Sequence, residues 1–526
     1  MSRALLLVGA VLLFLPLPSS AADWPEVRRR FREGYVAGAP AEVRLSLLRE
    51  VAAVDAPGAA ALLLDVWRGL AAGVPKLQAD LEQVRGRLRE HDETAPDRRR
   101  PDWLERRRAI LGREAALEAA LVRAETEKRA VVEGIGGFRS VETLTWLADT
   151  GMRRAKSPLL LREIAAHVAT AAADNVAVLA EALGRARRPE QVVPLLQALG
   201  RVGRDAAVAL ERVLVFLPSR DPAVRTAAAR ALAAFERREG IAPLVKALQR
   251  ERVDSRAQRE VVRALQILTR QPIGPYADLW DRWWKTNRQK IERGELMVGG
   301  GKPVGGFDDP RTVFYGLPQA ADRIIYVIDV SGSMEVSMKD PRWVGDRSVP
   351  AGPGEDSRYD AARRQLLRAV KSLKRDRRYT VVLYSDRAHA LWEELVPATK
   401  ANYEELERRL DEVVPGGSTN IYMALQVALR IAGVYPEPRK LRAEAIFLVS
   451  DGSPTTSAGK LDDPGRTLFA VREWNALQRV VVHTVGIGRQ HSAGFMRALA
   501  AENGGAYKAV VPDREGEGKK SPARGG

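Results

Sequence analysis

The strongest constraint on the fold comes from residues 324–502, where short apolar segments alternate with amphipathic ones. The first kind is typical of buried strands and the second of helices with one buried face. The predicted strands cover 324–330, 379–384, 445–449 and 480–485, and the predicted helices cover 359–373, 403–413, 421–431, 467–477 and 493–502. This alternation predicts an α/β doubly wound, Rossmann-like parallel sheet with helices on both faces. Such sheets bind ligands at the carboxyl ends of their strands.

Five oxygen-bearing side chains lie at or near those predicted strand ends. Asp329, Ser331 and Ser333 belong to the segment IDVSGSM, Thr419 to PGGSTN and Asp451 to VSDGSPT. Carboxylate and hydroxyl oxygens suit Mg²⁺ or Mn²⁺ in an octahedral site. No histidine lies nearby in the sequence, which disfavours zinc. Five side chains leave at least one of six coordination positions for water or for an outside group. A carboxylate from a protein partner suits that position.

The three segments resemble the metal-ion-dependent adhesion site, or MIDAS, of von Willebrand factor A domains. That site combines D-x-S-x-S with a distal Thr and a distal Asp before Gly. The resemblance extends to HTVGIG and ENGGAY, which look like the last strand and closing helix of bacterial members. It implies an A domain over 318–512 and the metal ligands Asp329, Ser331, Ser333, Thr419 and Asp451. It also implies that the metal holds an acidic side chain of a protein partner.

One segment departs from a compact A domain. Residues 335–357 form a long, proline-containing insertion directly after the first predicted ligands. Because the insertion is next to the predicted metal, we expect it to shape the choice of partner. The alternative is a passive surface loop.

The N-terminal part is predicted to be all-α, over 23–295. Leucine and valine at coiled-coil spacing predict a helical hairpin over about 75–133, the alternative being two ordinary helices on the main body. Ala-Leu pairs then recur every 33 residues, at 198–199, 231–232 and 264–265, with Asp221 and Asp254 as expected helix N-caps. The stretch DPAVRTAAARALAAF resembles a HEAT repeat, which implies an α-solenoid over about 140–270.

Three further segments are predicted to lie outside the folded domains. Residues 1–22 combine an apolar run with small residues before position 23, the pattern of a secretory signal peptide; an uncleaved anchor is the alternative. No other segment is apolar enough to span a membrane. Residues 296–317 are predicted to be a Gly-rich linker, and 513–526 a disordered tail. The signal predicts export to a periplasm or to the cell exterior.

The expected function is therefore metal-dependent protein binding, as an adhesion or scaffold protein, with a second partner possible on the helical repeats. The sequence contains no recognisable catalytic motif and no cysteine, so we do not expect an enzyme. The alternative function comes from Ro-type RNA-binding proteins, which also join helical repeats to an A domain with a MIDAS. The net charge of +17 fits phosphate contacts, but the export signal makes nucleic acid the less favoured partner.

Overall fold

A computed structural model describes most of the chain, as two compact units. The described residues are 23–93, 100–171, 175–253, 255–303, 313–338, 343–344, 347–348, 351–352, 356–436, 440–456 and 459–510. The division between the units falls after Gly151. The predicted signal segment 1–22 and the predicted tail 513–526 lie outside the described residues. Among the residues that are described, no helix is long and apolar enough to cross a membrane.

The first unit is helical. Its α-helices are α1 (Trp24–Gly34), α2 (Ala41–Ala53), α3 (Pro57–Glu93), α4 (Pro101–Ile135) and α5 (Val141–Trp146). Helices α3 and α4 run antiparallel and bury an apolar seam that includes Val84, Leu117 and Leu121. The chain therefore contains a pair of long packed helices where the hairpin over 75–133 is predicted. Whether they supercoil as a coiled coil stays a prediction.

The second unit begins with stacked helices. They are α6 (Met152–Arg154), α7 (Pro158–Ala171), α8 (Asn175–Arg185), α9 (Pro189–Val202), α10 (Leu210–Leu214), α11 (Pro222–Phe235), α12 (Ile241–Leu248), α13 (Arg256–Thr269) and α14 (Ala277–Glu292). Helices α7, α9, α11 and α13 pack against one another in series. The three recurring Ala-Leu pairs lie on α9, α11 and α13, and all six side chains are buried. Burial of small and branched side chains between successive helices explains the repeat. Its assignment to the HEAT family stays a prediction.

The sequence predicts N-cap residues for two helices of this stack, α11 and α13. The Asp221 carboxylate accepts hydrogen bonds from the main-chain N–H groups of Ala223 and Val224, so its predicted role as the N-cap of α11 is confirmed. Asp254 lies outside the described residues, and the hydroxyl of the next residue, Ser255, caps α13.

The remainder of the second unit is an α/β domain. Its strands are β1 (Val313–Phe314), β2 (Leu317–Pro318), β3 (Arg323–Asp329), β4 (Trp343–Val344), β5 (Arg347–Ser348), β6 (Arg378–Tyr384), β7 (Ala388–Ala390), β8 (Val396–Pro397), β9 (Ala445–Ser450), β10 (Val481–Ile487) and β11 (Tyr507–Val510). Its helices are α15 (Arg358–Lys371), α16 (Lys400–Asp411), α17 (Ile421–Ala432), α18 (Pro464–Trp474) and α19 (Ala493–Glu502).

The main sheet has the order β11-β10-β9-β3-β6-β7, with β8 also paired to β6. The predicted parallel pairing is confirmed for β10, β9, β3 and β6, and β11 also joins the sheet in parallel. Strands β7 and β8 run antiparallel to β6, so the sheet is mixed at this edge. Strand β10 is followed by another parallel strand, β11, which corrects the expectation that HTVGIG forms the last strand.

The apolar side chains of β3 alternate between two cores. Ile324, Tyr326 and Ile328 face the core shared with α15 and α16, whereas Ile325 and Val327 face the core shared with α17, α18 and α19. Because both faces are covered, β3 contains an unbroken apolar run rather than an alternating one. The predicted doubly wound architecture is therefore confirmed.

The described part of the predicted linker 296–317 is hydrogen-bonded to α13. The main-chain N–H groups of Gly299 and Gly301 donate to the carbonyls of Leu268 and Ile267, over 2.8 and 2.9 Å. Residues 304–312 lie outside the described residues. The second unit contains both the helical repeats and the α/β domain, whereas the sequence predicts a boundary between them. That predicted boundary stays a prediction.

The Gly301→Ala substitution tests the contact between this segment and α13. A Cβ atom at position 301 would lie 2.3 Å from the main-chain oxygen of Gln266, so the backbone must move. We expect a loss of about 1–3 kcal/mol in the free energy of unfolding, as for other overpacked sites. Urea denaturation measures it, with Gly494→Ala in α19 as the control, because a Cβ there meets nothing within 4 Å. Equal stability of the two variants would show that 299–301 is a free linker.

Candidate metal centre

The fold brings the five predicted ligands to the carboxyl edge of the main sheet. Asp329 ends β3, and Ser331 and Ser333 follow it in a tight turn. Asp451 follows β9, the neighbour of β3. Thr419 lies in the loop before α17. All but Ser333 are almost fully buried.

Hydrogen bonds join the two serines to both aspartates. The Ser331 main-chain N–H donates to Asp329 Oδ1 over 2.9 Å. The hydroxyl oxygens of Ser331 and Ser333 are 3.1 Å apart, and the Ser333 hydroxyl donates to Asp451 Oδ1 over 2.7 Å. The side chains of the first and third sequence segments therefore form one continuous group.

The loop that contains Thr419 is held against this group by its main chain. Gly417 has a φ of 80°, a conformation that favours glycine, and its carbonyl accepts from Gly332 N over 3.1 Å. The Thr419 N–H donates to Thr455 Oγ1 over 2.7 Å. A Cβ atom at Gly452 would lie 3.3 Å from Thr419 Oγ1, which places this hydroxyl beside the residue after Asp451.

Two residues outside the predicted set contact Asp329. The hydroxyls of Ser450 and Tyr384 donate to Asp329 Oδ2 over 2.8 and 3.2 Å. Burial, and then the charge of Asp451, raise the pKa of Asp329 to about 7. The hydrogen bonds only partly offset the cost of holding a charged carboxylate here. Asp329 is therefore a buried group that a nearby cation would stabilise.

Asp451 has an internal cation of its own. Arg358 Nη1, at the start of α15, donates to Asp451 Oδ2 over 2.6 Å, and both side chains are buried. Sequence reasoning missed this contact, because 93 residues separate the partners and nothing distinguishes Arg358 from the other arginines of α15. Ser450 was also missed, although its place directly before Asp451 in VSDGSPT could have pointed to it.

The donor set fits a hard divalent cation. It contains two carboxylates and three hydroxyls, all oxygen donors, at one buried edge. No group of three His, Cys, Asp or Glu side chains suited to a metal occurs in the described part of the chain. A metal at this edge would therefore depend on the hydroxyls of Ser331, Ser333 and Thr419 together with the two aspartates. The burial of Asp329 near a second buried carboxylate, Asp451, favours a cation, and it also raises the pKa of Asp329.

The predicted insertion 335–357 begins and ends beside the centre. Met338 N donates to the Asp356 carbonyl over 2.9 Å, which closes its base. Within it, β4 and β5 pair antiparallel. Residues 339–342, 345–346, 349–350 and 353–355 lie outside the described residues. Its role in partner choice stays a prediction.

Two curated proteins are similar to part of this chain. Inter-alpha-trypsin inhibitor heavy chain H2 of Mesocricetus auratus is 26% identical over 199 residues, which are 36% of this chain and 18% of the relative. Heavy chain H2 of Mus musculus is 25% identical over 239 residues, 44% of this chain and 22% of the relative. The chain thus spans about a fifth of the length of these curated relatives.

Among solved structures, a von Willebrand factor type A protein from Catenulispora acidiphila is similar at 18% identity and a TM-score of 0.28, over 36% of this chain and 38% of that one. The sequence model of the family described as von Willebrand factor type A domain matches residues 324–453, a range that contains all five predicted ligands. The chain therefore contains a von Willebrand factor type A domain, preceded along the sequence by helices.

Proposed function

We propose that Asp329, Ser331, Ser333, Thr419 and Asp451 hold one Mg²⁺ or Mn²⁺ ion, through which an exported chain captures an acidic side chain of a protein partner. The observation that carries the proposal is the convergence of five oxygen side chains around a buried, undercompensated Asp329. The homology to heavy chains and the family match support a protein-interaction role.

The chain's own residues prepare the site in two ways. Ser450 and Tyr384 hold the carboxylate of Asp329 through its Oδ2 atom. Arg358 holds Asp451 through its Oδ2 atom, while Oδ1 accepts from Ser333. When bound, the divalent ion supplies the electrostatic attraction for an incoming carboxylate oxygen. The function proposed is binding rather than catalysis.

Affinity capture from a cell-envelope extract tests the proposal. The immobilised full chain should retain a defined set of proteins in Mg²⁺ and release them in EDTA. Asp329→Asn, which keeps the side-chain shape but removes a carboxylate, should retain none of that set. Asp278→Asn is the matched control, because its side chain is 72% exposed on α14 and it should capture as wild type does.

Two results would count against the proposal. Capture of the same proteins in EDTA would show that no metal holds the partner. Blocking of the partner's carboxyl groups with an amine and a carbodiimide should also abolish capture. Retention of the blocked partner would show that an acidic side chain is not the recognised group.

A further inference from the structure

A second candidate site lies at the opposite edge of the main sheet from the metal centre. It is a cavity of about 680 Å³ within the second unit, between the first turns of α11 and α13 and the amino ends of β3, β9 and β10. Its volume is in the range of small-molecule sites. Neither the metal centre nor the proposed partner capture uses it.

The lining of the cavity is strongly basic. Eight lining side chains are Arg or Lys and three are Asp or Glu. Each of the three acidic groups already has an arginine partner: Asp221 pairs with Arg479, Glu444 with Arg323 and Glu260 with Arg230. The positive ends of two helix dipoles add to this potential, since α11 and α13 both begin at the cavity. The cavity therefore has an excess of positive charge.

Arg256, at the start of α13, is a lining residue with unpaired hydrogen-bond donors in the described part of the chain. Its Nη1 donates to the carbonyl of Gln478, but its Nε and Nη2 atoms are buried without a hydrogen-bond partner among the described residues. Burial, and then Arg230, lower the pKa of Arg256 to about 9, so the guanidinium is still charged at neutral pH. A buried charge with unpaired donors is costly unless a counter-ion compensates it.

His483 lines the same cavity as a neutral ring. It stacks on Phe447 with a centroid distance of 4.6 Å, and its Nδ1 atom accepts from Ala506 N over 3.1 Å. Burial, and then Arg259 and Arg256, lower its pKa to about 4. The neutral ring consequently carries its proton on Nε2, which is a hydrogen-bond donor and not an acceptor.

We propose that this cavity binds a small anion with several phosphate groups. Guanidinium groups match the oxygens of phosphate and carboxylate groups through paired hydrogen bonds, so the arginines of the lining suit an anion of this kind. With Glu251 and Asp322 counted as the partners of Arg225 and Arg252, basic side chains still exceed acidic ones by three. This excess favours a multiply charged ligand, and the volume admits more than one phosphate. The bound anion would supply the compensation that Arg256 lacks.

Titration of the full chain with sodium tripolyphosphate tests the proposal, at constant ionic strength and with EDTA present so that the metal centre stays out of the measurement. Calorimetry should show one saturable site per chain, and the melting temperature should rise by several degrees. ATP as a second titrant shows whether an organic group adds affinity. Binding of heparin but not of tripolyphosphate would overturn the proposal, because it would show only a general attraction of polyanions to the basic surface.

The Arg256→Gln variant separates a binding role from a structural one. Without the anion it should melt at or above the wild-type temperature, because an uncompensated buried charge is gone, and its affinity for tripolyphosphate should fall at least tenfold. Melting below wild type with unchanged affinity would overturn the proposal. Arg288→Gln, an exposed arginine on α14, is the matched control and should bind as wild type.

A second variant keeps the test decisive if Arg256→Gln does not fold. Lys440 lines the cavity with an exposed side chain, so Lys440→Gln should leave the melting temperature unchanged. It should weaken tripolyphosphate binding severalfold, through the loss of one positive charge. Wild-type affinity in this variant would contradict the proposal.

Discussion

The Asp329→Asn variant is expected to be more stable than the wild-type chain in EDTA and less stable in saturating Mg²⁺. In EDTA, the buried carboxylate of Asp329 has no ion beside it and lies near Asp451, so its charge opposes folding. In Mg²⁺, only the wild type gains binding energy, about 2.7 kcal/mol at a hundredfold excess over the dissociation constant. The order of the two melting temperatures should therefore reverse.

The same group sets a pH dependence for the metal-free chain. Asp329 has a folded pKa of about 7, above the value of about 4 for an unfolded aspartate. The folded state therefore binds the extra proton between these values, and the stability of the wild type falls as the pH rises from 4 through 7. Asp329→Asn should remove this part of the pH dependence.

Thermal denaturation at pH 5 and pH 8, each in EDTA and in Mg²⁺, measures both effects. Asp278→Asn is the control for the loss of one exposed carboxylate. Unchanged order of wild type and Asp329→Asn in all four conditions would show that Asp329 is not the group that a divalent ion stabilises.

The Arg358→Met variant should lose about 3–5 kcal/mol of stability in EDTA, because it leaves the buried carboxylate of Asp451 without its ion-pair partner. In Mg²⁺ the loss should be smaller, since the ion then compensates Asp451. By linkage, a smaller loss in the bound state means that the variant binds Mg²⁺ more tightly than the wild type does.

Urea denaturation with and without Mg²⁺ tests this second prediction. Arg364→Met is the matched control, because Arg364 lies on the same helix and pairs with Asp356 at the surface, where an ion pair contributes at most about 1 kcal/mol. A loss in Arg358→Met that is the same with and without Mg²⁺ would show that the ion does not reach Asp451.

The elements of the A domain were predictable wherever burial is continuous. Strands β3, β6 and β9 and helix α19 lie within two residues of their predicted bounds, because both sheet faces are covered and the apolar runs are unbroken. Strands β7 and β8 were missed. They have three and two residues, and they form only by pairing with β6. Such short edge strands have no periodicity of their own.

The candidate metal centre also contains residues that the sequence predicted and contacts that it did not. Its five proposed ligands belong to local motifs, which a sequence displays directly. The contacts that hold them come from distant segments: Arg358 reaches Asp451 and Tyr384 reaches Asp329 only after the sheet has formed. No local pattern distinguishes these two residues from others on the same elements.

The arginines of the repeats show where composition misleads. The net charge of +17 to which they contribute predicts nothing about packing. In the second unit, Arg230 instead donates to Gln478 Oε1 over 2.6 Å, and Arg479 pairs with Asp221 over 3.0 Å. No local pattern in the sequence marks such long-range pairs, so the packing of the repeats against the A domain could not be predicted.

Isothermal titration of the full chain with MgCl₂ measures directly whether the five proposed ligands bind an ion. We expect one site per chain in the wild type, wild-type binding in Asp278→Asn, and no binding at this site in Asp329→Asn. Equal Mg²⁺ binding by the wild type and Asp329→Asn would contradict the assignment of the metal centre to Asp329, Ser331, Ser333, Thr419 and Asp451.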